Sequence, residues 1–172
     1  LRKHMAYVQQ NTTMFSGSVR DNLLLGIPST EIPSDEEICK ILKACCCEFI
    51  IDHPFGIDFV LEENGSNISG GQKQRLLISR ALAGHPEILI LDDSSSALDY
   101  RTDAALRGKL AEHYGDTTTV VIAQRVSSVM HCDKILVLEE GKMLGFGTHA
   151  ELMETCGIYR EIAETQMGEV QA

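Results

Sequence analysis

No apolar run in this 172-residue sequence approaches the ~20 residues that a membrane-crossing helix needs. The opening residues, Leu1-Arg2-Lys3-His4, are short and mixed and do not read as a signal peptide. Positive charge is in deficit: 15 Lys and Arg stand against 25 Asp and Glu, a net charge of -10. That balance argues against a nucleic-acid surface, which needs a basic stripe, and against a surface for anionic lipid. There is no C-x-x-C pair. Cys45, Cys46 and Cys47 are consecutive, pointing different ways from one predicted helix, while Cys39, Cys132 and Cys156 are scattered. Neither zinc nor a disulfide framework is expected from such spacing. The thiols read instead as small apolar residues of a reducing, cytosolic compartment. The six histidines show no H-x-x-x-H or similar spacing. Internal repeats and low-complexity tracts are missing too.

What is present suits one soluble domain with a real core: 44% hydrophobic and 23% charged residues. Met5-Ala6-Tyr7-Val8 is a short β-like run ending at Gln9-Gln10. Residues 18–25 read as a helix with Ser16 or Gly17 as its cap, stopped by Gly26-Ile27-Pro28. Ser34-Asp35-Glu36-Glu37 has the form of a capping box, opening a helix predicted to run through Ile50 with Ile38, Ile41, Leu42 and Cys45 on one face. Pro54-Phe55-Gly56 breaks the chain, and 57–67 read as loop. The period then changes. Residues 87–92, 118–123 and 134–138 are continuous apolar runs, as expected of strands covered on both faces in a parallel sheet. Helices at about 100–112 and 126–130 separate them. Glu140-Gly141 predicts a hairpin turn into Lys142-Met143-Leu144, and 149–153 and 158–166 read as terminal helices, with fraying from Met167.

Two runs carry chemistry. Ile68-Ser69-Gly70-Gly71-Gln72 leads into an apolar helix through Ala83. Glycines let backbone approach closely, and a helix N-terminus offers free N–H groups and a positive dipole end, so this surface suits phosphate. Alone, the run is equally a glycine turn that happens to start a helix. The second run, residues 87–99, is an apolar strand ending in the paired carboxylates Asp92 and Asp93, followed by Ser94-Ser95-Ser96-Ala97-Leu98-Asp99.

In this order and spacing the two runs resemble the signature loop and Walker B strand of the ATP-binding cassette (ABC) ATPases. The resemblance spans almost the whole chain and is to the C-terminal two-thirds of an exporter-type nucleotide-binding domain. It implies an α/β fold, with a P-loop NTPase (RecA-like) parallel sheet core, residues 1–10 and 76–172, and a helical ABC subdomain, residues 11–75. It implies ATP and Mg²⁺ as ligands. Gln10 resembles the Q-loop glutamine, which touches the magnesium and the attacking water. Asp92 matches the Mg²⁺-holding position and Asp93 that of the catalytic base. Ser69, Gly70, Gly71 and Gln72 match the signature loop, which closes over ATP held by a second domain in a head-to-tail dimer. Ser96 and Asp99 lie in the D-loop, which crosses that interface. Segments 15–23 and 62–67 are similar to the parts facing the transmembrane domains, although Glu62 stands where a glycine is usual. Gly147-Thr148-His149-Ala150-Glu151-Leu152 resembles the family's C-terminal signature, and Arg125 favours exporters.

Two departures fall on one nucleotide site. The family's base is glutamate, whereas Asp93 is one methylene shorter, and a general base needs heavy-atom reach of ~2.6–3.2 Å. The family's switch residue is histidine, whereas Gln124 can hydrogen-bond but cannot become cationic. Together they resemble the degenerate site of heterodimeric exporters, with impaired hydrolysis expected; alternatively, Asp93 works through a shifted water. No G-x-x-x-x-G-K-[ST] occurs, so the phosphate cradle is missing, and the chain is expected to be a piece of a longer protein and inactive alone. The expected function is the ATP-driven component of an ABC exporter at the cytoplasmic face of the membrane. The alternatives are a soluble ABC ATPase unconnected to transport and a non-catalytic regulatory module.

Overall fold

The computed structural model describes residues 4–10, 13–94 and 96–170. Leu1 to Lys3, the start of the predicted insert at Asn11 and Thr12, Ser95 and the last two residues lie outside it. Two compact units emerge, residues 1–122 and 123–172.

In chain order the first unit contains β1 (Met5–Val8), β2 (Gly17–Ser18), α1 (Val19–Leu23), α2 (Asp35–Ala44), α3 (Glu48–Ile51), β3 (Val60–Leu61), α4 (Gly70–Leu82), β4 (Ile88–Asp92), α5 (Tyr100–His113) and β5 (Thr118–Ile122). Strands β1, β4 and β5 form a parallel sheet in that order. Met5 lies opposite Ile88, and Ile88 opposite Thr118. Helix α4 packs against β1 and buries Leu76, Leu77, Ile78 and Leu82 in one core with Val8, Leu89 and Leu91. Each such side chain contributes about 1.5–3 kcal/mol by leaving water. The core continues through Ile38, Ile41 and Leu42 of α2 and Leu106 and Leu110 of α5.

The second unit contains β6 (Ile135–Glu139), β7 (Lys142–Gly147), α6 (His149–Thr155) and α7 (Gly157–Val170). β6 and β7 are an antiparallel hairpin whose turn, Glu140-Gly141, has both residues at positive φ (46° and 75°). That geometry suits a two-residue hairpin turn, and glycine takes it without steric cost. Val126, Ile135, Leu152, Cys156, Tyr159 and Ala163 form the unit's own core.

Several expectations need correction. Helix α1 starts at Val19, with Ser18 as its cap in a capping box with Asp21, so neither Ser16 nor Gly17 caps it. The capping box of Ser34 and Glu37 is as expected, but α2 ends at Ala44. The three cysteines do not share a helix. They form a break, with Cys46 at φ 56°, before the short α3. Arg75 holds this break by donating to the Cys46 carbonyl, and all three cysteines are buried. All six cysteines are free thiols. The predicted loop 57–67 contains β3 and a 3-10 turn at Glu63–Gly65. The expected helix at 126–130 is a 3-10 turn, Val126–Ser128. Helix α7 continues through Val170 instead of fraying from Met167. The run 134–138 pairs only with β7 among the described residues and is not part of the parallel sheet. Nor are the later strands covered on both faces: Val120 and Ile122 on β5 are 45% and 51% exposed, Leu138 on β6 62%.

Candidate functional site

Parallel pairing in register brings the C-terminal ends of β1 and β4 together, with Val8 opposite Leu91. The residues leaving those ends, Gln10 and Asp93, therefore meet although 83 positions separate them. Gln10 Nε2 donates to Asp93 Oδ2 at 2.8 Å. Residues two apart on a strand face the same way, so Asp92 shares a face with Ile90, which lies opposite Tyr7. The Tyr7 hydroxyl donates to Asp92 Oδ2 at 2.5 Å. That bond, ahead of partial desolvation, raises the Tyr7 phenol above its ordinary value. Asp93 sits at φ 47°, a left-handed conformation in which Asp and Asn are enriched. Its N–H donates to the Ile122 carbonyl at 2.8 Å, extending the β4–β5 ladder by one step. Its own carbonyl accepts from the Ser96 hydroxyl at 2.9 Å, closing the turn out of the strand.

Ser69 caps α4 in a capping box of its own. Gln72 N–H donates to Ser69 Oγ at 3.2 Å, and Ser69 N–H donates to Gln72 Oε1 at 2.9 Å. Both side chains are thereby oriented locally. Gly71 is held against the residues 97–98: a Cβ there would lie 3.1 Å from the Ala97 carbonyl oxygen and 3.3 Å from Leu98 Cδ2. The same packing brings Ala97 near Gly70, which remains exposed. Asp99 caps α5, accepting from Thr102 N–H at 2.9 Å and from its hydroxyl at 2.7 Å; the backbone bond, then the hydroxyl, holds the Asp99 carboxyl below its ordinary range.

Segment 15–23 comes beside residues 59–61, which lead into 62–67. β2 pairs antiparallel with β3, and Val19 N–H donates to the Phe59 carbonyl at 2.9 Å. Beyond β3, Asn67 bridges the bend by accepting from Glu62 N–H and donating to the Val60 carbonyl. Phe15 and Val60 stay exposed on this face. Gln124 belongs to the second unit. Its side chain is exposed, and its carbonyl accepts from Gln166 Nε2 at 3.0 Å.

Residues 1–96 match the family model described as ABC transporter. The chain belongs to the ABC transporter family. It is 40% identical over 168 residues to an uncharacterized ABC transporter ATP-binding protein of Bacillus subtilis, covering 98% of this chain and 29% of that protein. It is 40% identical over 167 residues to a putative multidrug export ATP-binding/permease protein of Staphylococcus aureus, covering 96% and 28%. Among solved structures, a bacterial Atm1-family ABC exporter with ATP bound superposes with a TM-score of 0.87 at 32% identity, over 96% of this chain and 29% of that one. The chain thus spans under a third of the length of these relatives. The parallel sheet with its helices is that of the P-loop NTPase fold, and ABC membership implies nucleotide binding. Among the described residues no helix is long and apolar enough to cross a membrane.

Mg²⁺ prefers hard oxygen donors and is held by one or two carboxylates plus phosphates and water, not by an all-protein cage. Asp92, Asp93 and Gln10 at the sheet's C-terminal edge offer that donor type. Among the described residues no cluster of three or more His, Cys, Asp or Glu forms a complete cage. Two polar partners were missed in the sequence. In the sequence Tyr7 is only part of a strand; its place opposite Ile90, on the face of Asp92, exists only once β1 and β4 are paired. Gln166 lies 42 residues from Gln124 on a helix, with no local signal.

Proposed function

We propose that this chain is part of the ATP-binding component of an ABC exporter, coupling ATP binding and hydrolysis to transport across a membrane. The contact between Gln10 and Asp93 carries the reading, because it sets the loop glutamine against the position of the catalytic base. Asp92 and Gln10 are the residues that would hold Mg²⁺, whose part is to neutralise phosphate charge. Asp93 stands where a base would take the proton of an attacking water, and Gln124 where a hydrogen bond would orient the γ-phosphate. Ser69, Gly70, Gly71 and Gln72, with Ser96 and Asp99, serve ATP held by a second nucleotide-binding domain in a head-to-tail dimer. The helix N-terminus and close glycine backbone suit that anion.

The short Asp93 and the uncharged Gln124 make this subunit's own site one that binds more than it hydrolyses, so the partner is a different subunit. Segments 15–23 and 62–67, the first paired through β2 with the strand β3 that leads into the second, face the transmembrane domains, and the chain lies at the cytoplasmic side of a membrane. Residues 11–75 act as the helical subdomain and 1–10 with 76–172 as the core. Alone, the chain lacks the phosphate cradle and is inactive.

The test uses the full-length protein assembled with its partner. A working general base contributes about 10²–10⁴-fold. Asp93→Ala is expected to cost far less than that, because the site is already slow. Ser69→Arg is expected to nearly abolish ATPase activity by putting bulk and charge into the partner's working site. Single-turnover rates with the partner's catalytic glutamate disabled isolate this site. If Asp93→Ala costs as much as losing that glutamate, the asymmetric assignment is wrong.

A further inference from the structure

We propose that Gln166 is a positioning residue for the segment that carries Gln124, so that the C-terminal helix α7 sets the switch position of the nucleotide site. The functional half of this rests on the reading of Gln124 given above.

Gln166 Oε1 accepts from Val126 N–H at 2.8 Å, and Gln166 Nε2 donates to the Gln124 carbonyl at 3.0 Å. On an extended segment the carbonyl of one residue and the N–H two residues on point the same way. In a parallel ladder a single residue of the neighbouring strand takes both. Arg125, between them, is extended (φ -94°, ψ 124°). The side-chain amide of Gln166 thus stands in for one residue of a strand that would flank 124–126. An amide side chain presents a donor and an acceptor in one plane at any ordinary pH, as this requires.

The amide is held from behind. Tyr159, Ala163 and Gln166 are spaced four and three apart, on one face of α7. Tyr159 and Ala163 are buried in the same core as Val126. The Tyr159 hydroxyl is 2.9 Å from His149 Nδ1, fastening α7 to α6. A displacement of α7 along its axis therefore moves the two backbone groups on either side of Arg125, one of them the carbonyl of Gln124. Both of these Gln166 hydrogen bonds go to backbone, so it needs no contact with nucleotide to act.

The experiment compares Gln166→Leu, which loses both bonds, with Gln166→Glu, which keeps the acceptor for Val126 and sets a carboxylate oxygen against the Gln124 carbonyl. In the full-length protein with its partner, amide hydrogen exchange is followed at residues 124–127 and, as a control for folding, in β6 and β7. Release of labelled ATP from this subunit's site is measured with the partner's site disabled. Loss of two hydrogen bonds of ordinary net strength is expected to speed local exchange about tenfold to a hundredfold in Gln166→Leu. β6 and β7 should be unchanged, ATP release several-fold faster, and Gln166→Glu intermediate. Unchanged exchange at 124–127 would overturn the clamp itself. Faster exchange with unaltered ATP release, in a protein where Gln124→Ala does accelerate release, would reduce Gln166 to a structural part and overturn the proposal. If Gln124→Ala leaves release unaltered, the switch role of Gln124 fails, and the functional half of this proposal with it. The exchange result then still reports on the clamp.

Discussion

Replacing Gly70 and Gly71 by alanine, one at a time, separates two reasons for a glycine pair that the sequence cannot distinguish. Both occupy the first turn of α4. Each substitution gains at most about 1 kcal/mol from helix propensity and from a less free unfolded chain. At Gly70 the new Cβ meets only the Ala97 Cβ, at an ordinary 3.9 Å. At Gly71 it meets a backbone carbonyl oxygen at 3.1 Å and Leu98 Cδ2 at 3.3 Å. Leu98 is 4% exposed and has little room to retreat. Overpacking of this kind costs about 1–3 kcal/mol. The expectation is that Gly70→Ala is neutral or stabilising, while Gly71→Ala falls below it by about 1–3 kcal/mol. For a chain of this size that gap corresponds to about 2–12 °C in Tm. Urea titration of the two variants in parallel reads the difference directly. Because Gly70 has no packing reason to be glycine, Gly70→Ala should still lower ATPase activity in the assembled transporter. If Gly71→Ala proves as stable as Gly70→Ala, the close approach of residues 97–98 to α4 is wrong, and with it the link between residues 69–72 and 96–99.

Stability is expected to fall in acid. The capping bonds from Ser18, Ser34, Thr102 and Thr148 hold Asp21, Glu37, Asp99 and Glu151 below their ordinary values, and ion pairs with Arg20 and Lys40 do the same for Asp35 and Glu36. Groups with a lowered folded value stabilise above their unfolded value and lose that contribution as pH falls through the folded one. The urea midpoint should therefore be flat above about pH 5 and drop below it, less steeply in Glu37→Gln; a midpoint rising in acid would contradict the capping geometry. Millimolar MgATP should leave the Tm of residues 1–172 unmoved, whereas a ligand at a hundred times its Kd would add about 2.7 kcal/mol; a saturable shift would show a phosphate site outside the missing cradle. The far edge of β5 has no partner strand among the described residues, and its exposed Val120 and Ile122 favour recruitment of other chains. Light scattering should show self-association that Ile122→Lys reduces, and a monodisperse monomer would count against it.

Local chemistry was legible wherever it depends on neighbours in the chain. The boxes at Ser34 and Glu37 and at Ser69 and Gln72 follow from spacing, because a cap and its partner lie within one turn. The hairpin at Glu140-Gly141 and the strand ending at Asp92 follow for the same reason. Misread elements had competing local signals. The apolar run through the three cysteines continues a helical period, but tertiary packing prevails there: Arg75, from 29 positions away, satisfies the Cys46 carbonyl and lets the helix end. Ser18 pairs with Val60 across 42 residues, so the strand within 57–67 has no local signal and forms only beside β2.

The candidate site divides in the same way. By itself the sequence determined which groups are available: the glycine pair, the two carboxylates, the glutamine at a strand end, and Gln124 after the apolar run 118–123. It also determined the family, since order and spacing of motifs survive without coordinates. Only the tertiary structure decided that Gln10 reaches Asp93, that Tyr7 occupies Asp92, that Gly71 is confined by Ala97, and that Gln166 holds the Gln124 segment. Those contacts join residues 26 to 85 positions apart. No local periodicity encodes such pairs; they arise when parallel strands align in register and helices bury their apolar faces, which fixes side chains that the chain itself keeps far apart.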